Sequence, residues 1–261
     1  MTVSDEIVFE EHGTLARVLL NRPAKRNALT RAMLERLAEI FAGVAARRDL
    51  RAVILSGEGR DFCAGTDISE LAALDAEGAR RKSLQGQEVC ELVETCGTPV
   101  IAAVSGAAAG GGCELALACH LRVVTRDARF SLPETRLGLI PAYGGTQRLA
   151  RALGQGRALS AMLAGEEIRA PEALRLGLVN RVAADGELSK EAEALARSIA
   201  EVSAPLAARA CLEAVTRGTR LPLAEGLELE AELFSQLFST EDVREGTRAF
   251  LEKRQPTFKG K

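Results

Sequence analysis

The apolar positions change their period as the chain runs. Ile7-Val8-Phe9-Glu10 and Leu15-Ala16-Arg17-Val18-Leu19-Leu20 flank a His12-Gly13 turn, which predicts two strands. From Thr30 the spacing lengthens. Met33, Leu34, Leu37, Ile40, Phe41 and Val44 recur at helical period, and Thr30 is placed to cap that helix. Ala52-Val53-Ile54-Leu55 and Pro99-Val100-Ile101-Ala102-Ala103-Val104 are unbroken apolar runs ending in Ser-Gly, which predicts buried strands. The amphipathic stretch 79–96 predicts a helix between them. Arg122-Val123-Val124 predicts another strand and Arg129-Phe130-Ser131 a shorter one.

Apolar strands alternating with helices imply parallel pairing through helical crossovers, so the expected fold class is α/β. Beyond Gly145 the pattern is almost wholly helical, with candidate helices at 145–153, 157–164, 171–176, 187–202, 206–217, 223–238 and 240–253. Leu227, Leu229, Leu233, Phe234, Leu237 and Phe238 give the end of the chain more apolar surface than a lone exposed hairpin tolerates. That surface is expected to pack on the main body or on another subunit.

Composition narrows the class. The 261 residues suit one large domain or a domain with an appendage, and 47% apolar against 27% charged residues indicates a soluble protein with a sizeable core. A net charge of −2 supplies no bulk attraction to nucleic acid or an anionic membrane. Six cysteines show no CxxC spacing and there are only two histidines, so no metal site is expected. The acidic start has no apolar leader segment, and no apolar run is long enough to span a membrane. A reducing, cytoplasmic setting with free thiols is the expectation.

The candidate chemistry gathers in Ser105 to Leu149. Gly110-Gly111-Gly112 runs straight into Cys113-Glu114-Leu115-Ala116-Leu117, so the glycines sit where a helix begins. A helix start turns free N–H groups and a positive dipole end outward, which suits an anion or a polarised carbonyl. Glu114 falls in the first turn of that helix, and a second acid, Glu134, follows. Two carboxyls beside one pocket can divide acid and base roles. The same residues also have a purely structural reading. Glycines before a helix serve as hinges, and Ser131-Leu132-Pro133-Glu134 reads as a capping box. Two further segments qualify as binding loops. Asn21 to Asn27 carries three cations, Arg22, Lys25 and Arg26, suited to phosphate oxygens or to a solvated turn. Gly57 to Ile68 follows a strand end and is rich in small residues. Ligands in such folds collect at the carboxyl ends of strands, where both glycine loops are expected.

Several ordered motifs together resemble the enoyl-CoA hydratase (crotonase) family. They are Phe62-Cys63-Ala64-Gly65-Thr66-Asp67-Ile68, Gly110-Gly111-Gly112-Cys113-Glu114, Pro133-Glu134-Thr135-Arg136-Leu137-Gly138 and Gly144-Gly145-Thr146-Gln147-Arg148-Leu149. Asn21-Arg22-Pro23 with Asn27-Ala28-Leu29, and Arg244-Glu245-Gly246 with Glu252-Lys253-Arg254, extend the likeness over nearly the whole chain. The resemblance implies a spiral of ββα turns over residues 1–200 and a helical trimerisation region over 201–261, as a homotrimer or dimer of trimers. It implies an acyl-CoA thioester substrate, with coenzyme A as part of that substrate and no separate cofactor.

By motif position, the N–H groups of Ala64 and Gly111 would hold the thioester oxygen. Glu114 would activate water and Glu134 would deliver a proton. Contacts to the coenzyme A portion would involve Lys25, Arg26, the backbone of Ala64, Gly65, Thr66, Asp67 and Ile68, the Pro141 loop and Lys253. Two acids favour hydration of a trans-2-enoyl-CoA to a 3-hydroxyacyl-CoA. An enoyl-CoA isomerase, a methylglutaconyl-CoA hydratase, an acyl-CoA hydrolase and an RNA-associated non-catalytic relative are the alternatives. One departure stands out. Many family members have glycine where this chain has Ala142, and a small residue where it has Tyr143.

Overall fold

In the computed structural model, residues 6–261 are described. Strands β1 (Ile7–His12) and β2 (Leu15–Leu20) form the antiparallel hairpin read from the sequence. Helix α1 (Arg31–Ala46) is capped by Thr30, whose side chain accepts from the Met33 N–H, and it buries the expected stripe. Strands β3 (Ala52–Gly57), β4 (Val100–Val104), β6 (Leu121–Val124) and β9 (Arg181–Val182) add to β2 in parallel, giving one sheet of order β1-β2-β3-β4-β6-β9.

The unbroken apolar runs of β3 and β4 have a direct cause: both faces of the sheet are covered. Val53, Leu55, Val100, Ala102 and Val104 join the core with α1 and α3 (Ala76–Thr95). Their neighbours Ala52, Ile54, Ile101 and Ala103 pack on the other face with Ala192 and Ala196 of α8 (Leu188–Val202).

A second sheet holds β5 (Ala107–Ala109), β7 (Arg129–Ser131) and β8 (Ile168–Arg169), in the order β5-β7-β8. The chain therefore visits one sheet, then the other, then a helix. β4, β5 and α4 (Gly111–Ala118) make one such turn. β6, β7 and a 3-10 turn at Glu134–Leu137 make the next. This is the expected spiral of ββα turns.

Three strands escaped the sequence reading. β5 is three alanines, which carry no β-branched signal, and β8 and β9 are two residues each. Helix α3 starts at Ala76 because Asp75 caps it through the Gly78 N–H. The stretch 157–164 divides into α6 (Gln155–Leu159) and a π turn (Ser160–Ala164). The expected capping box is absent. Ser131 ends β7, and the 3-10 turn has no side-chain cap.

α5 (Gly145–Leu153) keeps its expected bounds, and α7 (Ala170–Arg175) follows β8. The chain ends in α9 (Pro205–Gly218), α10 (Leu223–Leu237) and α11 (Glu241–Leu251). α10 buries none of its side chains, and Leu223 and Phe234 are 78% and 63% exposed, so this apolar surface is not packed on the main body. Among the described residues no helix is long and apolar enough to cross a membrane.

Candidate active site

The glycine run spans the junction from β5 into α4, where the second sheet hands over to a helix. Gly110 adopts φ 49°, and a Cβ there would sit 2.9 Å from Oε1 of Glu134. The glycine is thus required both by the turn and by the close approach of the second acid. Gly111 is the first residue of α4, so its N–H has no acceptor within the helix.

Glu114 lies in the first turn of α4 and is 1% exposed. Its Oε1 accepts from the N–H of Tyr143 at 2.7 Å and from that of Gly145 at 2.6 Å. The loop supplying those donors is itself fixed. Arg148 donates to the Tyr143 carbonyl at 3.0 Å and pairs with Glu94 at 2.8 Å. The Ala142 carbonyl accepts from Ser83 at 2.8 Å and Gln87 at 3.0 Å, both on α3. Burial pushes the Glu114 carboxyl above its ordinary range, while the two N–H donors and Arg148 pull it back.

Glu134 opens the 3-10 turn, and its Oε2 is buried without a hydrogen-bond partner. Burial lifts its pKa to about 7, and the charge of Glu114 adds to the rise. Thr135, the next residue, ties this turn to the π turn by donating to the Met162 carbonyl at 2.6 Å.

The segment Phe62 to Ile68 runs alongside β5, with the Cys63 N–H on the Ala107 carbonyl and the Ala109 N–H on the Cys63 carbonyl. A Cβ on Gly65 would lie 3.6 Å from the Gly111 nitrogen, so the two loops touch. One expectation is corrected here. The Ala64 N–H already donates to the Arg26 carbonyl at 2.9 Å, so it is not a free donor. Thr66 behaves differently. It bridges Leu29 through its neighbours, with the Leu29 N–H on the Gly65 carbonyl and the Asp67 N–H on the Leu29 carbonyl. In a parallel bridge of this kind the Thr66 N–H points away from Leu29. Gly65, at φ 109°, breaks the strand alternation between Ala64 and Thr66. Among the described residues, the N–H groups of Thr66 and Gly111 have no backbone acceptor in the loops around them. The motif's residue types do not reveal this, because it depends on the left-handed turn at Gly65.

The other expected binding residues are spread more widely. Pro141 is buried in the loop before Tyr143 and lines a surface cavity with Ser83 and Ala142. The Asp67 carboxylate caps α2 (Ile68–Leu71), accepting from Ser69 and pairing with Arg22 at 2.7 Å, which holds its pKa at about 2. Ile68 is exposed. Arg22 is therefore an internal tie in the basic loop, and buried Asn27 is another, donating to the Glu58 and Asp61 carbonyls. Arg26 is half exposed and pairs with Asp61 at 2.7 Å, while Lys25 is exposed. Lys253 is exposed just past α11, and among the described residues no hydrogen bond or ion pair joins its side chain to the two acids.

Known proteins share both the family pattern and the fold of this chain. Residues 10–261 match the family model described as enoyl-CoA hydratase/isomerase. The short-chain-enoyl-CoA hydratase of Clostridium acetobutylicum is 39% identical over 252 residues, covering 96% of each chain. The crotonyl-CoA hydratase of Syntrophomonas wolfei is 40% identical over 258 residues, covering 97% of this chain and 98% of that one. The crystal structure of an enoyl-CoA hydratase from Bacillus anthracis superposes with a TM-score of 0.93 at 38% identity, covering 98% of this chain and all of that one.

Proposed function

The chain belongs to the enoyl-CoA hydratase/isomerase family, and from that premise we propose that it hydrates trans-2-enoyl-CoA thioesters to 3-hydroxyacyl-CoA. The observation that carries this reading is the pair of unlike acids. Glu114 is held by two N–H donors that favour its carboxylate, and Glu134 has an unpartnered oxygen and a pKa of about 7. Hydration needs a base and an acid together. Glu114 takes a proton from water as the oxygen attacks Cβ, and Glu134 gives a proton to Cα. Between these events negative charge sits on the thioester oxygen, where the N–H groups of Gly111 and Thr66 receive it. Water is consumed, and both acids are restored by one proton transfer between them or through solvent. This chemistry calls on acid, base and backbone donors, with coenzyme A acting as the handle of the substrate.

The protein is proposed to act in the cytoplasm as a homotrimer or dimer of trimers. Exposed Leu223, Phe234, Phe238, Phe250 and Leu251 support burial of α10 and α11 against other copies. Lys25, Arg26 and Lys253 are then the candidate cations for the coenzyme A phosphates. The experiment is to supply crotonyl-CoA and follow loss of the conjugated-enoyl absorbance while identifying the product. Formation of 3-hydroxybutyryl-CoA is expected. Release of free coenzyme A, or a shifted double bond without hydration, would overturn the proposal.

A further inference from the structure

Tyr143 stands in the middle of the site, and the acid–base chemistry makes no use of its ring. Its backbone belongs to the scaffold, through the N–H on Glu114 and the carbonyl on Arg148. The side chain, 3% exposed, crosses to Thr66, whose hydroxyl lies 2.9 Å from the phenol oxygen. Along the way it rests on two glycines. A Cβ on Gly86, inside helix α3, would fall 2.0 Å from Cδ1 of the ring. A Cβ on Gly111 would fall 2.8 Å from Cε2. Glycine inside a helix is destabilising relative to alanine. Here it makes the room that the ring occupies.

The ring thus lies against the two residues whose N–H groups have no backbone acceptor in the loops around them, and its own backbone N–H donates to Glu114. A thioester oxygen received by Gly111 and Thr66 sets Cα and Cβ between Glu114 and Glu134. We propose that acyl carbons beyond Cβ run toward this ring and that Tyr143 sets acyl-chain length: its ring closes the acyl end of the site, admits short straight chains and turns longer ones away. This rests on the acyl-CoA reading given above. The loop is not free to swing the ring aside, because Ser83 and Gln87 pin the Ala142 carbonyl to α3.

The test uses saturated thioesters, whose binding involves no reaction. Butyryl-, hexanoyl-, octanoyl- and decanoyl-CoA are titrated calorimetrically into the wild type, Tyr143→Ala, Tyr143→Leu and Tyr143→Phe, with crotonyl-CoA hydration measured alongside. Wild-type affinity should fall at least about tenfold from butyryl to octanoyl, or about 1.4 kcal/mol. In Tyr143→Ala, octanoyl should bind at least as tightly as butyryl, because added methylenes bury in the vacated space. Tyr143→Leu should lie between, and it serves if the alanine variant does not fold. Tyr143→Phe keeps the ring and should keep the wild-type order. Equal wild-type binding of all four thioesters would overturn the proposal, as would an unchanged length profile in a folded Ala or Leu variant. Hydration reports separately. Length discrimination without hydration would sink the hydratase reading and leave the wall standing, and hydration without length discrimination would do the reverse.

Discussion

The two acid-bearing turns are built in opposite ways. Glu114 belongs to an α-helix that is buried almost throughout, and a neighbouring loop reaches over to hand it two N–H groups. Glu134 opens a four-residue 3-10 turn and is only partly covered, and nothing donates to its buried Oε2. Under the proposed mechanism one residue type serves two roles because the surroundings differ. At Glu114 burial raises the carboxyl, and the two N–H donors with Arg148 offset part of that rise. At Glu134 burial outweighs the single backbone N–H that favours the charged form, and the pKa rises to about 7.

Erasing the difference should have the largest effect. In Glu114→Gln the amide oxygen can still accept from Tyr143 and Gly145, so the loop should stay in place while the base is lost. In Glu134→Gln only the titrating proton is lost. Each should lower kcat on crotonyl-CoA by about 10²–10⁴-fold, with thioester affinity much less changed. The double variant should lose far less than the product of the two, since the acids act as a unit. Near-normal turnover in either single variant removes that residue from the mechanism. If Glu114→Gln were the harmless one, a single-acid isomerase would replace the hydratase.

The backbone donors come next, and they separate the acids from the oxygen they serve. Gly111 is the first residue of its helix, a position that tolerates proline. Gly111→Pro removes the N–H but also places atoms against Tyr143. Gly111→Ala adds the crowding and keeps the donor, so the pair isolates the N–H. We expect the proline variant to fall about 10²–10³-fold below the alanine variant in kcat. Equal activity in the two would mean that no charge develops where Gly111 points.

Much of this was readable in advance, for identifiable reasons. The stripe from Met33 to Val44 and the apolar runs of β3 and β4 are long, periodic signals, and they predicted both the elements and the loops that follow them. Glu114 in a first turn followed from glycines meeting helix formers. The misses share a different origin. Ala107–Ala109 is a strand only because Cys63 and β7 pair with it, a tertiary fact with no local propensity behind it. The Ala64 N–H is spent on the Arg26 carbonyl and the Thr66 N–H has no backbone acceptor in the loops around it, with one left-handed glycine between them. Tyr143 was visible as an unusual residue, but its place against Gly86 depends on a helix distant in sequence.

The smallest expected effect reads the same contrast through stability. Glu134 has a folded-state pKa of about 7, above the ordinary carboxyl value of 4.5. Between those values the folded chain holds a proton that the unfolded chain has released. Stability is therefore fully present below the unfolded pKa and declines as pH rises through about 7. Glutamine cannot ionise, so Glu134→Gln should not share the decline. Partial solvent access discounts the shift, and an effect on the order of 1 kcal/mol moves Tm by about 2–4 °C in a chain of this size. Melting curves at pH 5 and pH 8 should show the variant gaining that much on the wild type at the higher pH. The activity profile should turn over in the same window, since a general acid that has lost its proton cannot serve Cα. A wild type whose Tm and kcat both stay flat across that window would show Glu134 to be an ordinary ionised carboxylate. The difference between the two turns would then have no chemical consequence.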